Sequence, residues 1–94
     1  MRSARTDSNQ KEIVTALRSV GATVQSLAPV GQGVPDLLVA FRGVNFLIEV
    51  KTPTGKLNPI QTAFHANWRA PIGVCVTQDD ALLHIGAIDD TTNV

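Results

Sequence analysis

The sequence predicts one α/β domain, with elements in the order α, β, β, β, α, β and a short closing helix. The strands are expected to form a mixed sheet with helices on its faces. Three observations predict this. Apolar residues recur at helical spacing twice, at Ile13, Val14, Leu17 and Val20 and again at Ile60, Phe64 and Trp68. Two short apolar runs, Leu37–Phe41 and residues 46–50, flank the turn signal Arg42-Gly43-Val44-Asn45. Strand-like stretches stand on either side, at residues 23–27 and 74–77. At 94 residues the chain is expected to be a single domain, 1–94, with a modest core.

Residues 1–6 are polar, carry Arg2 and Arg5, and read as a mobile arm. Asp7-x-x-Gln10 looks like a capping box opening the first helix, and Gly21 stops it. Gln10 shares the stripe of Ile13, Val14 and Leu17, so it faces inward. It either caps locally or reaches toward the hairpin. Glu12 lies off the stripe and is expected in solvent. Residues 28–35 hold two glycines and two prolines and make a shaped loop. That loop either skirts a phosphate backbone or simply turns the chain. Asn58-Pro59-x-Gln61 reads as the start of the second long helix, with Ile60, Phe64 and Trp68 as its core stripe. Cys75 sits in a strand pattern and is expected to be a buried, inert thiol. Gln78-Asp79-Asp80 caps a last short helix through Leu82, Leu83 and Ile85, with His84 at the surface.

The hairpin carries the chemistry. With the turn centred between Arg42 and Gly43, Leu37 faces Ile48 and Val39 faces Phe46, a wholly apolar face that has to be covered. The other face pairs Leu38 with Leu47 and Ala40 with Asn45, and puts Asp36 opposite Glu49. Like charges placed there are destabilising. A hard cation bridging both carboxylates would compensate, and Mg²⁺ commonly takes one or two protein carboxylates plus water and phosphate oxygens. Lys51, two residues after Glu49, falls on the same face. Two acids and an ammonium at one hairpin end are what metal-assisted phosphodiester hydrolysis needs. Acids and a lysine at strand ends are also common in proteins that do no chemistry.

Composition narrows the classes. Hydrophobic and charged content are those of a globular chain, no apolar run approaches a membrane span, and a single cysteine excludes an internal disulfide and fits a reducing cytosol. The formal charge is zero, yet all eight basic residues precede residue 79 and four of the eight acids follow residue 78. Residues 1–78 thus carry a formal +4, compatible with a nucleic-acid partner.

Several of these motifs occur together and in order: Gln10 on a leading helix, Gly33-Val34-Pro35-Asp36, Glu49-x-Lys51, Gly55-Lys56-Leu57, and Gln61 on the next helix. In this combination, running from about Asp7 to Thr77, the chain resembles the VRR-NUC domain. That family belongs to the PD-(D/E)XK nuclease superfamily, whose fold is restriction-endonuclease-like with an αβββαβ core. A chain this short looks like the stand-alone form of phages and bacteria. The resemblance implies a Mg²⁺- or Mn²⁺-dependent DNA nuclease in the cytoplasm of a bacterial or phage-infected cell. It also implies a homodimer similar to Holliday-junction resolvases, acting on branched DNA. By the same resemblance, Asp36 and Glu49 match the metal-binding acids and Val50 adds a backbone carbonyl. Lys51 matches the catalytic lysine and Gln61 the glutamine of the second helix. The chain departs from the pattern at Gln10, where many superfamily members carry a glutamate, with Glu12 two residues away. Residues 73–77, with Leu82, Leu83 and Ile85, are the expected dimer surface. The other readings are a catalytically silent DNA-binding module and a protein–protein adaptor with the same fold.

Overall fold

A computed structural model of the chain describes residues 7–89; the expected arm at residues 1–6 lies outside them, as does the side chain of Asp7 with its capping box. The first helix, α1, is Asp7–Ser19, followed by strand β1, Thr23–Ser26. Strands β2, Leu37–Phe41, and β3, Val44–Val50, form the hairpin. Helix α2, Pro59–Asn67, strand β4, Ile72–Cys75, and helix α3, Gln78–Ile85, complete the chain. The sheet order is β1-β2-β3-β4, with β1, β2 and β3 antiparallel and β4 parallel to β3. The sheet is therefore mixed, and α2 is the crossover that a parallel pair requires. Among the described residues no helix is long and apolar enough to cross a membrane.

The hairpin has the expected register: Leu37 pairs with Ile48, Leu38 with Leu47, Val39 with Phe46 and Ala40 with Asn45. Its turn is tighter than the four-residue signal. Phe41 pairs with Val44, leaving only Arg42 and Gly43, both at positive φ (51° and 82°). That is the two-residue turn whose twist matches the strands. The Arg42 guanidinium lies over the Phe41 ring, 4.8 Å from its centre.

One face of the sheet is closed. Leu37, Val39, Phe41 and Ile48 meet Ile13 and Leu17 of α1 and Ala81 and Ile85 of α3 in one core, joined by Val24 and Cys75. Val20 is not part of it: α1 ends at Ser19, and Ala16 takes the buried position that the stripe assigned further on. The strand expected at residues 74–77 begins and ends two residues earlier, because Thr77 leaves the sheet to cap α3. Its side chain accepts from Asp80 N–H at 3.0 Å, and Asp80 accepts in return from Thr77 N–H at 2.9 Å. Thr77 is thus the N-cap, and of the expected Gln78-Asp79-Asp80 run Asp80 supplies the other half of the box.

His84 is also not at the surface. Its ring meets the Phe46 ring edge-on, 5.7 Å between centres, and covers Gly73 so closely that any Cβ there would collide with it. Burial lowers the His84 pKa below its ordinary value, against a backbone hydrogen bond at Leu47 that raises it. Residues expected at a subunit surface are largely taken up inside the chain. Ile85 and Cys75 are buried and Leu82 packs on the core, while Val74 and Leu83 are exposed.

The second face is open. Helix α2 has no buried residue. Ile60, expected in its core stripe, is 61% exposed and Trp68 is 47% exposed. Phe64 and Trp68 stack on each other, 5.2 Å between ring centres, and border an apolar groove of about 570 Å³ whose floor is Leu38 and Leu47. Of the stripe, Phe64 and Trp68 line a groove instead of sealing a core, and Ile60 lies outside it against Gly33.

Candidate active site

The end of β3 is where the two faces meet the loops. Glu49 and Val50 are its last residues, and Lys51 follows, its N–H donating to Cys75 O at 2.9 Å. The ladder to β2 ends at Ile48, so these residues are held by β4, where Glu49 pairs with Val74 and Val50 with Cys75. Asp36 precedes β2, directly after the fully buried Pro35. Its Oδ2 accepts from Val50 N–H at 2.7 Å, which draws the aspartate across the hairpin mouth toward Glu49.

The loop before Asp36 fixes that position. Leu27 N–H donates to Asp36 O at 2.8 Å, closing residues 28–35 into a compact turn that includes the 3₁₀ segment Ala28–Val30. Gly33, at φ +80°, is pressed against the first turn of α2: a Cβ there would lie 2.7 Å from Ile60 O. The close approach that this glycine permits is to α2 backbone.

Helix α2 enters the site through its capping box. Asn58 Oδ1 accepts from Gln61 N–H at 2.8 Å, and Gln61 Oε1 accepts from Asn58 N–H at 3.0 Å. The same Oε1 accepts from Lys51 Nζ at 2.9 Å, while Gln61 Nε2 donates to Glu49 Oε2 at 3.3 Å. One glutamine therefore caps a helix, holds the lysine and touches the acid. One turn on, His65 Nε2 stands 3.5 Å from the other Glu49 oxygen, Oε1.

The electrostatics are those of two acids in one place. Glu49 is 1% exposed, and its pKa is pushed up to about 8 by burial first and then by the charge of Asp36 and a hydrogen bond with it; Lys51 opposes the shift. Among the described residues no lysine or arginine lies within ion-pair distance of Glu49 or Asp36. His65 does not supply the missing charge. Burial and the nearby Lys51 lower its pKa, so at neutral pH it meets Glu49 as a neutral ring.

The donor chemistry fits a hard divalent cation. Two carboxylates and the Val50 carbonyl offer oxygen only, and no group of three His, Cys, Asp or Glu assembles among the described residues. Most coordination positions would then fall to water and phosphate oxygens, the usual arrangement for Mg²⁺.

Helix α1 closes the cleft, which measures about 360 Å³ and is bordered by Asn9, Gln10, Asp36, Glu49, Lys51 and Gln61 among others. Five of the residues singled out from sequence, Gln10, Asp36, Glu49, Lys51 and Gln61, thus share one cavity, with Val50 at its wall. Glu12 is exposed on a different side, beside Gln78 and Leu82, so the amide of Gln10 is what α1 offers here. Two residues went unassigned in the sequence. Asn9 Nδ2 donates to Lys51 O at 3.0 Å and Val76 O at 3.3 Å, pinning α1 to the ends of β3 and β4. The signal for His65 was its position four after Gln61, on the same helix face. Cys75 is buried as expected, its thiol pushed up to about 12 by burial.

The chain is 38% identical over 68 residues to "Putative nuclease p44" of Acyrthosiphon pisum secondary endosymbiont phage 1, which covers 70% of this chain and 73% of that protein. Its fold is similar to a solved structure described as a VRR_NUC domain, with a TM-score of 0.69 and 30% identity, covering 85% of this chain and 92% of that one. A scan against protein-family models finds no match.

Proposed function

Because this chain belongs to the VRR-NUC domain family, we propose that it is a divalent-metal-dependent endonuclease that hydrolyses phosphodiester bonds in DNA at the Asp36, Glu49 and Lys51 cleft. The observation that carries the reading is the Glu49 carboxyl, buried beside Asp36 with no lysine or arginine among the described residues paired to either. A fold that served only to bind would be better off without that repulsion.

Asp36, Glu49 and the Val50 carbonyl would hold the cation. When bound, Mg²⁺ or Mn²⁺ supplies Lewis acidity toward the phosphate and lowers the pKa of a water. Lys51 provides fixed positive charge. Its ammonium is held at 2.9 Å by Gln61 Oε1, so it is already placed when negative charge grows on the phosphate oxygens. Gln61 couples that lysine to the acid, and Gln10 borders the cleft from α1, where its amide would orient water or substrate.

The test is cleavage with Mg²⁺, with Mn²⁺ and with EDTA. Asp36→Asn should abolish turnover, and Mg²⁺ should raise the melting temperature of the wild type much more than that of Asp36→Asn. Full activity in EDTA would end the reading. Lys51→Ala should lower the rate at saturating DNA and metal with little change in DNA affinity. We further propose that the chain works in the cytoplasm as a two-fold homodimer on branched DNA, since each chain holds one such site and a four-way junction is cut on two strands. Light scattering that shows a monomer, with equal cutting of linear and branched DNA, would remove that refinement and leave the nuclease standing.

A further inference from the structure

We infer that His65 is a positioning residue for the metal-binding carboxylate, holding the Glu49 oxygen that Gln61 does not; this rests on the metal-nuclease reading above. Each oxygen of Glu49 has its own partner on α2: Oε2 receives Gln61 Nε2 at 3.3 Å, and Oε1 faces His65 Nε2 at 3.5 Å. The two partners are four residues apart and so lie on one face of the helix. Gln61 is itself anchored three times, by Lys51 and by both halves of the capping box with Asn58. Its end of the carboxylate is therefore fixed. Beside the hydrogen bond with Asp36, a single partner on α2 would still let the carboxylate pivot about that point.

His65 supplies the second partner. Its side chain is 15% exposed against 1% for Glu49, so the contact is sheltered from water. A carboxylate oxygen accepts more than one bond. A proton carried on Nε2 would occupy one acceptor direction of Oε1 and leave another open for a cation. Side chains that orient a ligand in this way commonly change metal affinity by about 10–100-fold when removed. The consequence is that α2 works as a clamp on the acid. Its first turn presents Gln61 and its second presents His65, and the helix is set in place by the Gly33 contact with Ile60.

The experiment measures Mn²⁺ affinity directly, by electron paramagnetic resonance of free Mn²⁺, alongside cleavage at varied metal concentration. His65→Phe keeps a ring of like size and removes the N–H. It should weaken Mn²⁺ binding about tenfold and raise the metal concentration for half-maximal cleavage in proportion. The rate at saturating metal should stay near that of the wild type. His65→Gln, which restores an N–H at similar reach, should recover most of the affinity, whereas His65→Asn, too short, should not. If His65→Phe fails to fold, the Gln and Asn pair carries the test alone. Wild-type affinity in His65→Phe, or equal affinity in the Gln and Asn variants, overturns the role. A wild type that binds no Mn²⁺, or an Asp36→Asn variant that binds it equally well, instead overturns the metal site itself.

Discussion

On one face of the sheet Leu37, Val39 and Ile48 are sealed beneath α1 and α3; on the other, Leu38 and Leu47 floor an open groove under α2. The residues alternate along the same two strands, so the chain spends one set on cohesion and the other on access. The closed face is held by apolar burial, which is non-directional and large in sum. The open face is held by a few directed contacts: the Asn58–Gln61 capping box, Gln61 with Lys51 and Glu49, and the Gly33 approach to Ile60. The two faces are thereby held by different kinds of force. The part that carries the acid's partners is the part with least burial behind it.

The largest effect should come from breaking the closed face. Ile48→Ala should cost about 2–5 kcal/mol, a large share of the ~5–15 kcal/mol that such domains have. Leu47→Ala, its neighbour on the open face, should cost less than half as much in the same urea titration. Equal losses would mean that the groove is covered in solution. Next is Gly33→Ala, which forces a Cβ against Ile60 O from a left-handed backbone. It should cost on the order of 1–3 kcal/mol. It should also lower cleavage by up to about a hundredfold, because displacing α2 by an ångström moves both partners of Glu49. Cleavage unchanged in a folded Gly33→Ala would detach α2 from the site.

Glu49→Gln sharpens the contrast from the other side. With its pKa raised from 4.5 to about 8, the Glu49 carboxyl binds its proton more tightly folded than unfolded. Its contribution to stability is full below pH 4.5 and is lost as pH rises through about 8. In EDTA at pH 8.5, Glu49→Gln should therefore melt higher than the wild type, while cutting no DNA. A lower melting temperature would mean that the acid is not under strain. The smallest effect concerns His84 on the closed face. Burial lowers its pKa below 6.5, so its contribution is present above that value and is lost as pH falls through the lowered one. Between pH 7.5 and 5 the wild type should lose more stability than His84→Gln; parallel loss would show that the ring titrates freely.

Much of the site was legible because β-pairing is arithmetic. A two-residue turn and a period of two place Asp36, Glu49 and Lys51 on one face, and the ladder follows that register throughout. Asn58-x-x-Gln61 was legible as a cap for a local reason, and its second role came with the family resemblance. What the sequence hid was tertiary. Periodicity shows that Ile60, Phe64 and Trp68 share a stripe, but not whether anything faces it. β4 was displaced because Thr77 suits a strand and a cap equally, and the reciprocal bonds with Asp80 decide for the cap. His84 and His65 look alike in sequence; their neighbours, Phe46 and Gly73 for one and Glu49 for the other, come from elements far away along the chain.

The turn at Arg42-Gly43 stands at the opposite end of the hairpin from the acids, five paired positions away, or roughly 17 Å at a strand's rise per residue. The interval of twelve residues between Asp36 and Glu49 is then a statement about ribbon length and carries no chemical requirement. Residues added at the tip would leave every pairing below it intact, whereas one residue inserted within β2 would exchange its two faces and send its apolar set to solvent. The same tip is a natural place to splice in a reporter without touching the end that carries Asp36 and Glu49.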